Sequence, residues 1–403
     1  MRKSKNSKSN FCIRPFNSVD VDAAGAIKVC CVMDQSKSEF HENVIPNIKD
    51  KSIKEWWNSE YLQYLRQSFL QNKKPKECSE CWIKEDSGLR SFRLRSNEEH
   101  RAIFQNKFEK NLKLIGKDNL LFPEDVQISI TNLCNLKCQM CSGVNSSRLL
   151  IENNALGYEN LSQEDYNLDD AHYQKIEDLA NHDISLLKLL GGEPLFNPKV
   201  IKLLELLVRN QKAHSVKLHI TTNATVCNDK ILDLLRQFKE LRLVLSIDGT
   251  GKCEEYMRYP SSWEVVKSNV DKFKSLPNAY TYINTVVQNL NVLYVHEVIN
   301  FAYNENIYIK LDILIDPDHL YFLNLPKQVL KQAHKNLSSI DNEKLTHTEN
   351  VQGILKLLED RLQNYSLVES KYRTFVDMVN KRDNYRKINI EDYMPELARE
   401  IVT

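Results

Sequence analysis

The stretch VQISITNLCNLKCQMC, residues 126–141, decides the fold. Its first half, VQISIT (Val126–Thr131), is an apolar, β-branched run of strand length. Its second half carries Cys134, Cys138 and Cys141 in the spacing C-x3-C-x2-C. A [4Fe–4S] cube normally takes four thiolates, one per iron. Three thiolates on one short loop hold such a cube and leave one iron without a protein ligand. An open metal position can bind a small molecule and act on it. The competing readings are a zinc loop and three buried thiols. Zinc sites usually show two C-x2-C pairs, or cysteine with histidine, and no fourth ligand lies near this loop.

Further strand-like runs recur downstream: LLKLL (186–190), VKLHITT (216–222), LRLVLSI (241–247), YINTVVQ (282–288) and YIKLDILI (308–315). The segments between them have helical period, as in NPKVIKLLELLVRN (197–210) and DKILDLLRQFKEL (229–241). Strands alternating with helices predict a parallel sheet with right-handed crossovers. Six such units can curl into an open barrel with its chemistry on loops at the C-terminal strand ends. Three short motifs fall at those ends: GGEP (Gly191–Pro194), TTN (Thr221–Asn223) and SIDG (Ser246–Gly249). Each also suits ordinary turn or helix-cap chemistry when taken alone.

Together, the cysteine loop after the first strand, GGEP after the second and polar strand ends after the third and fourth resemble the radical S-adenosylmethionine (SAM) superfamily. The resemblance spans roughly residues 125–316. It implies an α/β fold, a partial (β/α)6 barrel, with SAM chelating the open iron of a cluster on Cys134, Cys138 and Cys141. Met140 stands where the family usually carries an aromatic residue against adenine, and methionine is adaptable enough to pack a purine. Gly191 and Gly192 would let the backbone approach the ligand, having no Cβ. With Glu193 and Pro194 they would form the carbonyl edge that accepts from the SAM amino group. Asn223, Ser246 and Asp248 would hydrogen-bond the ribose hydroxyls or the methionine carboxylate. Arg258 would pair with that carboxylate bidentately, an exposed arginine on a charged loop being the alternative.

A second cysteine set lies upstream: Cys12, Cys30, Cys31, Cys78 and Cys81, the last followed by Trp82. Written out it is C-x12-G-x4-C, a long gap, then C-x2-C, with Gly25 as the glycine. Four thiolates can close a full [4Fe–4S] site, and a four-cysteine zinc site uses the same ligands. A disulfide framework is disfavoured in a chain that shows no secretory signal. The spacing resembles the twitch domain, a shortened SPASM module that carries an auxiliary cluster, here placed before the barrel instead of after it. On that match Cys12, Cys30, Cys78 and Cys81 are the ligands, with Cys31 the adjacent alternative to Cys30.

The 403 residues suffice for two to three domains. The expected division is an auxiliary iron–sulfur domain over 1–100, a linker over 101–124, the barrel over 125–316 and a helical extension over 317–403. A net charge of +1 gives no electrostatic case for nucleic acid. The opening MRKSKNSKSN is basic and polar without the apolar core of a signal peptide, and no apolar run approaches a membrane span. Both point to a cytoplasmic chain with no membrane partner. Cys227 and Cys253 read as core packing. The arginines of GLRSFRLRSNEEH (88–100) lie on a charged helix, Ser142–Asp170 reads as a polar lid, and the charged C-terminal helices are expected to cover the barrel or dock on the N-terminal domain.

The chemistry implied by the resemblance is reductive cleavage of SAM to a 5′-deoxyadenosyl radical that abstracts hydrogen from a substrate. An electron donor of the flavodoxin or ferredoxin kind is implied. A fully ligated auxiliary cluster would accept an electron from the substrate radical, giving a net oxidation. A peptide or protein substrate is preferred over a small molecule such as an aminosugar. The alternative of another class is a non-catalytic metal-binding scaffold that keeps the fold.

Overall fold

The computed structural model describes residues 9–40, 46–114 and 121–401, and the backbone alone for 100–108. Most of the basic opening and residues 115–120 of the expected linker lie outside the described residues. The strands are β1 (Ser18–Val21), β2 (Ile27–Lys28), β3 (Asp125–Ile128), β4 (Leu186–Leu189), β5 (Lys217–Thr222), β6 (Glu240–Ser246), β7 (Ala279–Val287), β8 (Tyr308–Ile313) and β9 (Thr348–Glu349). They form one sheet in the order β2-β1-β3-β4-β5-β6-β7-β8-β9. All neighbours are parallel except the β1–β2 hairpin. The six runs read from the sequence are β3 to β8, in consecutive order, as a partial barrel of α/β units requires.

The two faces of the sheet differ, and the difference locates the chemistry. Val126, Ile128, Leu187, Leu189, Leu218, Ile220, Leu241 and Leu243 are fully buried under the flanking helices. Each such side chain contributes about 1.5–3 kcal/mol relative to exposure. The alternating partners Gln127, Lys188, His219 and Arg242, which sit in register across β3 to β6, remain partly or fully exposed. This inner face is polar and uncovered by contrast. Helix Pro198–Arg209 illustrates the covering layer: Asn197 accepts from Lys199 N at 2.9 Å as its cap, and Val200, Leu203, Leu204 and Leu207 form its buried stripe.

Both ends of the chain join this sheet. The N-terminal segment supplies β1 and β2, and β1 pairs along its length with β3. The hairpin turn holds Gly25 at φ +87°, where an added Cβ would lie 2.7 Å from Asn47 Oδ1. Helix Phe92–Leu114 runs through the expected division at 100/101, so most of the described part of the linker is helical. Beyond residue 316, β9 pairs with β8 before the helices Val351–Gln363 and Glu369–Arg386. No described helix is long and apolar enough to cross a membrane.

One buried ion cluster welds the N-terminal segment to the barrel. Asp125, at the start of β3, accepts from Arg14 Nη1 at 2.7 Å and from Lys188 Nζ at 3.0 Å, with its side chain fully buried. Replacing Asp125 by Ala leaves the buried Arg14 and the partly buried Lys188 without this carboxylate. The expected cost is about 3–5 kcal/mol, the usual penalty for breaking a buried pair from one side. Denaturant unfolding checks this, and a loss below about 1 kcal/mol would show that the weld is dispensable.

Candidate active site

The loop Leu133–Cys141 has almost no regular structure, yet its backbone polar groups are satisfied from outside. Ser146, the cap of helix Ser147–Ala155, donates its hydroxyl to Leu136 O at 2.7 Å and accepts from Leu149 N at 3.1 Å. Lys137 N donates to Tyr259 O at 2.6 Å and Gln139 N to Met257 O at 2.8 Å. From the far end of the chain, Arg386 Nη2 donates to Lys137 O at 2.8 Å and Arg382 Nη1 to Gln139 O at 2.6 Å. Arg386 also grips the buried Glu152 through Nε and Nη2, at 3.0 and 2.7 Å. A loop pinned on so many backbone groups presents its three cysteines in one geometry. Burial pushes the thiols up, to about 11 for Cys134 and about 12 for Cys138 and Cys141. They favour the protonated form until a metal displaces the protons.

The strand-end motifs close around this loop. Gly191 and Gly192 have φ of +72° and +53°. A Cβ on Gly191 would lie 2.4 Å from Ser129 Cβ, and one on Gly192 would lie 2.2 Å from Leu133 O. Only glycine lets GGEP pass this close to the cysteine loop. Glu193 N donates to Leu133 O at 2.9 Å, while its buried carboxylate accepts from Asn223 N at 2.6 Å, Thr222 Oγ1 at 2.7 Å and Leu195 N at 3.0 Å. Asn223 Nδ2 in turn donates to Asn135 Oδ1 at 3.0 Å. Burial lifts the Glu193 carboxyl to about 6 despite these donors.

A cavity of about 760 Å³ results at the C-terminal strand ends. Cys134, Cys138 and Cys141 line it, with Met140 beside them. Gly191, Gly192, Glu193, Asn223, Ser246 and Arg258 line it too. Two expected contacts do not. Pro194 is buried and starts the turn Pro194–Phe196, so it shapes GGEP from behind. Asp248 is fully buried and committed elsewhere, pairing with Arg258 Nη2 at 2.6 Å and accepting from Val286 N at 2.7 Å. Arg258 is likewise no exposed loop arginine: it is 8% exposed, and its Nη1 lies 3.6 Å from Cys138 Sγ.

Other lining residues were invisible to sequence reasoning. Thr374, Asp377, Met378 and Arg382, all on helix Glu369–Arg386, form part of the wall. Tyr158 and Glu159 of the expected lid also line the cavity, and Glu159 accepts from Gly143 N at 2.9 Å. The sequence signal at 369–386 is mostly charge, because the helix buries Arg382 and Arg386 alongside a short apolar set of Phe375, Met378 and Val379.

The upstream cysteines converge at a second place. Cys12, Cys30, Cys78 and Cys81 line one small apolar cavity with Phe69, Phe92 and Met33. Cys31 is exposed and lies outside that lining, which separates the two adjacent thiols. Arg14 and Arg93 border the cavity as cations. Arg93, one of the arginines of 88–100, is buried against Glu85 at 2.5 Å and donates to Phe11 O at 2.6 Å. Burial lifts the Cys12 thiol to about 12 and raises Cys30 and Cys78 as well. Among the described residues no three His, Cys, Asp or Glu side chains meet closely enough for a single ion. Thiols around a cavity suit a cube, in which each ligand takes a separate iron. Cys253 is buried in the core and Cys227 packs partly buried against it.

Gly192→Ala tests this assembly. The left-handed backbone alone costs about 1–2 kcal/mol for a residue with a Cβ, before the contact with Leu133 O. The expected result is a folded protein whose affinity for SAM falls at least about tenfold, roughly 1.4 kcal/mol. Equilibrium dialysis with circular dichroism checks it, and unchanged affinity would remove GGEP from the ligand's cradle.

Comparison with known proteins gives two family matches. Residues 128–302 match the radical SAM superfamily, and residues 12–82 match SPASM, an iron–sulfur cluster-binding domain. No curated protein matches the chain. Among solved structures, anSMEcpe with bound AdoMet is 19% identical, with a TM-score of 0.39 over 53% of this chain and 58% of that one. The chain thus spans little more than half the length of that protein. SuiB from Streptococcus suis bound to S-adenosylmethionine is 18% identical, with a TM-score of 0.39 over 71% of this chain and 62% of that one. The same protein with its precursor peptide SuiA is 14% identical at a TM-score of 0.38, over 85% and 74%. The matched segments hold both cysteine sets and the strand-end motifs, and the chain carries a radical SAM domain preceded by a SPASM-type iron–sulfur domain, whose cofactors are SAM, a [4Fe–4S] cluster and an auxiliary iron–sulfur cluster.

Proposed function

We propose that the enzyme oxidises a peptide or protein substrate, with the second cluster taking up the electron that the substrate radical releases. The observation that carries this reading is the single sheet: the cavity at Cys134, Cys138 and Cys141 and the cavity at Cys12, Cys30, Cys78 and Cys81 are attached to adjacent strands, β3 and β1. Bound to a reduced cluster, SAM supplies a 5′-deoxyadenosyl radical and methionine. The chain's own residues do the rest, which is binding, orientation and exclusion of water.

Cys134, Cys138 and Cys141 would hold the cluster through three thiolates, and with no fourth cysteine beside them among the described residues SAM could reach it. Gly191 and Gly192 bring the GGEP carbonyls close, with Glu193 fixing the turn against Thr222 and Asn223. Met140 packs on adenine, and Asn223 and Ser246 offer polar atoms to the ribose or carboxylate. Thr374, Met378 and Arg382 wall the site from the C-terminal helix and keep solvent out.

Cys12, Cys30, Cys78 and Cys81 give the auxiliary cluster four ligands in an apolar enclosure. Such a cluster has no free iron for a substrate and suits electron transfer. The open, polar inner face running through Gln127, Lys188, His219 and Arg242 supports an extended substrate over one enclosed in a single pocket. A flavodoxin or ferredoxin is the fitting one-electron donor.

Anaerobic reconstitution is expected to give about eight iron and about eight sulfide per chain, from two [4Fe–4S] cubes. Replacing Cys134, Cys138 and Cys141 together by Ala should halve that count and abolish formation of 5′-deoxyadenosine. Persistent cleavage of SAM in the triple variant would refute the assignment. Replacing Cys78 and Cys81 by Ala should leave some 5′-deoxyadenosine formation while abolishing the oxidised product. Solubility and circular dichroism accompany that assay, since a metal site also contributes folding energy. A folded Cys78/Cys81 variant that makes product at the wild-type rate would eliminate the relay.

A further inference from the structure

Arg258 occupies an unusual position for a residue expected at a ligand's carboxylate. It caps helix Gly251–Met257 and is 8% exposed. Its Nη2 lies 2.6 Å from Asp248 Oδ2 and its Nε 3.6 Å from Glu254 Oε1. Both carboxylates are themselves fixed, Asp248 by Val286 N at 2.7 Å and Glu254 by Asp248 N at 2.9 Å and Gly249 N at 3.0 Å. The guanidinium is therefore clamped along one side. Its remaining edge, through Nη1, points at Cys138 Sγ at 3.6 Å. The neighbouring carboxylates hold the guanidinium charged.

We propose that Arg258 is a positioning residue for electron entry, raising the reduction potential of the cluster on Cys134, Cys138 and Cys141. The inference rests on the reading of those cysteines as cluster ligands. Reduction adds one electron from an external one-electron donor, with no bond made or broken and no proton moved. The cluster and its three thiolates become more negative by one charge. A fixed cation beside one sulfur favours the more negative state, and its field is little screened in a buried pocket. Hydrogen bonds to cluster sulfurs act in the same direction. The contact that reaches that sulfur is made by the guanidinium, through Nη1, while Nη2 and Nε face the two carboxylates. Arg258 thus makes the cluster easier to load from a donor of modest reducing power.

The test is a spectroelectrochemical titration of the reconstituted full-length enzyme, read by electron paramagnetic resonance with iron counted in each sample. The auxiliary cluster is the internal control. Arg258→Gln removes the charge and is expected to shift the midpoint of the Cys138 cluster to lower potential. The shift should be at least tenfold in the reduced-to-oxidised ratio, about 59 mV for one electron. Arg258→Lys keeps the charge and should restore most of it. The pair Arg258→Gln with Asp248→Asn removes both partners, guarding against a buried carboxylate left alone, and should shift in the same direction as Arg258→Gln. An unmoved midpoint in variants that retain the cluster would overturn the proposal. So would loss of the cluster in all three variants, which would make the role structural. If the wild-type protein showed no cluster sensitive to the triple cysteine replacement, the cysteine reading itself would fail, a result distinct from either.

Discussion

The parallel pairing of Ser18–Val21 with Asp125–Ile128 is the constraint on which the rest of the structure depends. It makes the N-terminal segment part of the barrel's own sheet instead of a tethered module. Cys12 and Cys30 flank β1 and its hairpin, whereas Cys134, Cys138 and Cys141 follow β3. Two adjacent strands therefore carry the two cysteine sets, and the spacing between them is set by backbone hydrogen bonds. Arg14, between Cys12 and β1, adds a buried ion pair to Asp125 that fixes the same joint from the side chains. A shared sheet holds the two cysteine sets at a fixed separation without a flexible linker.

At the other end of the strands the site is assembled from polar atoms that are individually weak and collectively closed. Glu193 ties GGEP to the TTN strand end, Asn223 ties that end to Asn135, and Leu133 O receives Glu193 N. Each net hydrogen bond contributes only about 0.5–1.5 kcal/mol, but leaving such a group buried without its partner costs more. The same logic explains the last long helix. Arg382 and Arg386 reach across more than two hundred residues of sequence to the loop carbonyls at Gln139 and Lys137. The C-terminal region is therefore a wall of the site as well as a cover for the barrel.

Much of this was legible in the sequence, and the exceptions have physical causes. The strands β3 to β8 are short, largely apolar runs separated by helical segments, and the glycines of GGEP take positive φ against the cysteine loop. The cysteine spacings mark the two places where the structure gathers thiols around a cavity. The strand β1 escaped notice because SVDV is four residues long and half polar, with Asp20 and Ser18 buried by pairing across the sheet. The pairing of Asp248 with Arg258 was not legible, because SIDG looks the same whether its carboxylate faces a ligand or a buried arginine ten residues on. The docking of Glu369–Arg386 was hard to read because its apolar set is short, Phe375, Met378 and Val379, and the rest of its buried face is Arg382, Asp383 and Arg386, which a sequence reading assigns to solvent.

The most direct test of the open-iron site is electron paramagnetic resonance of the dithionite-reduced enzyme, recorded before and after adding SAM. The account predicts two overlapping cluster signals, of which one changes on addition and the other does not. The responsive signal should vanish when the cysteines of the Cys134–Cys141 loop are removed. A spectrum indifferent to SAM, with both clusters present, would contradict the central claim that this loop holds a cluster with an iron left open for the ligand.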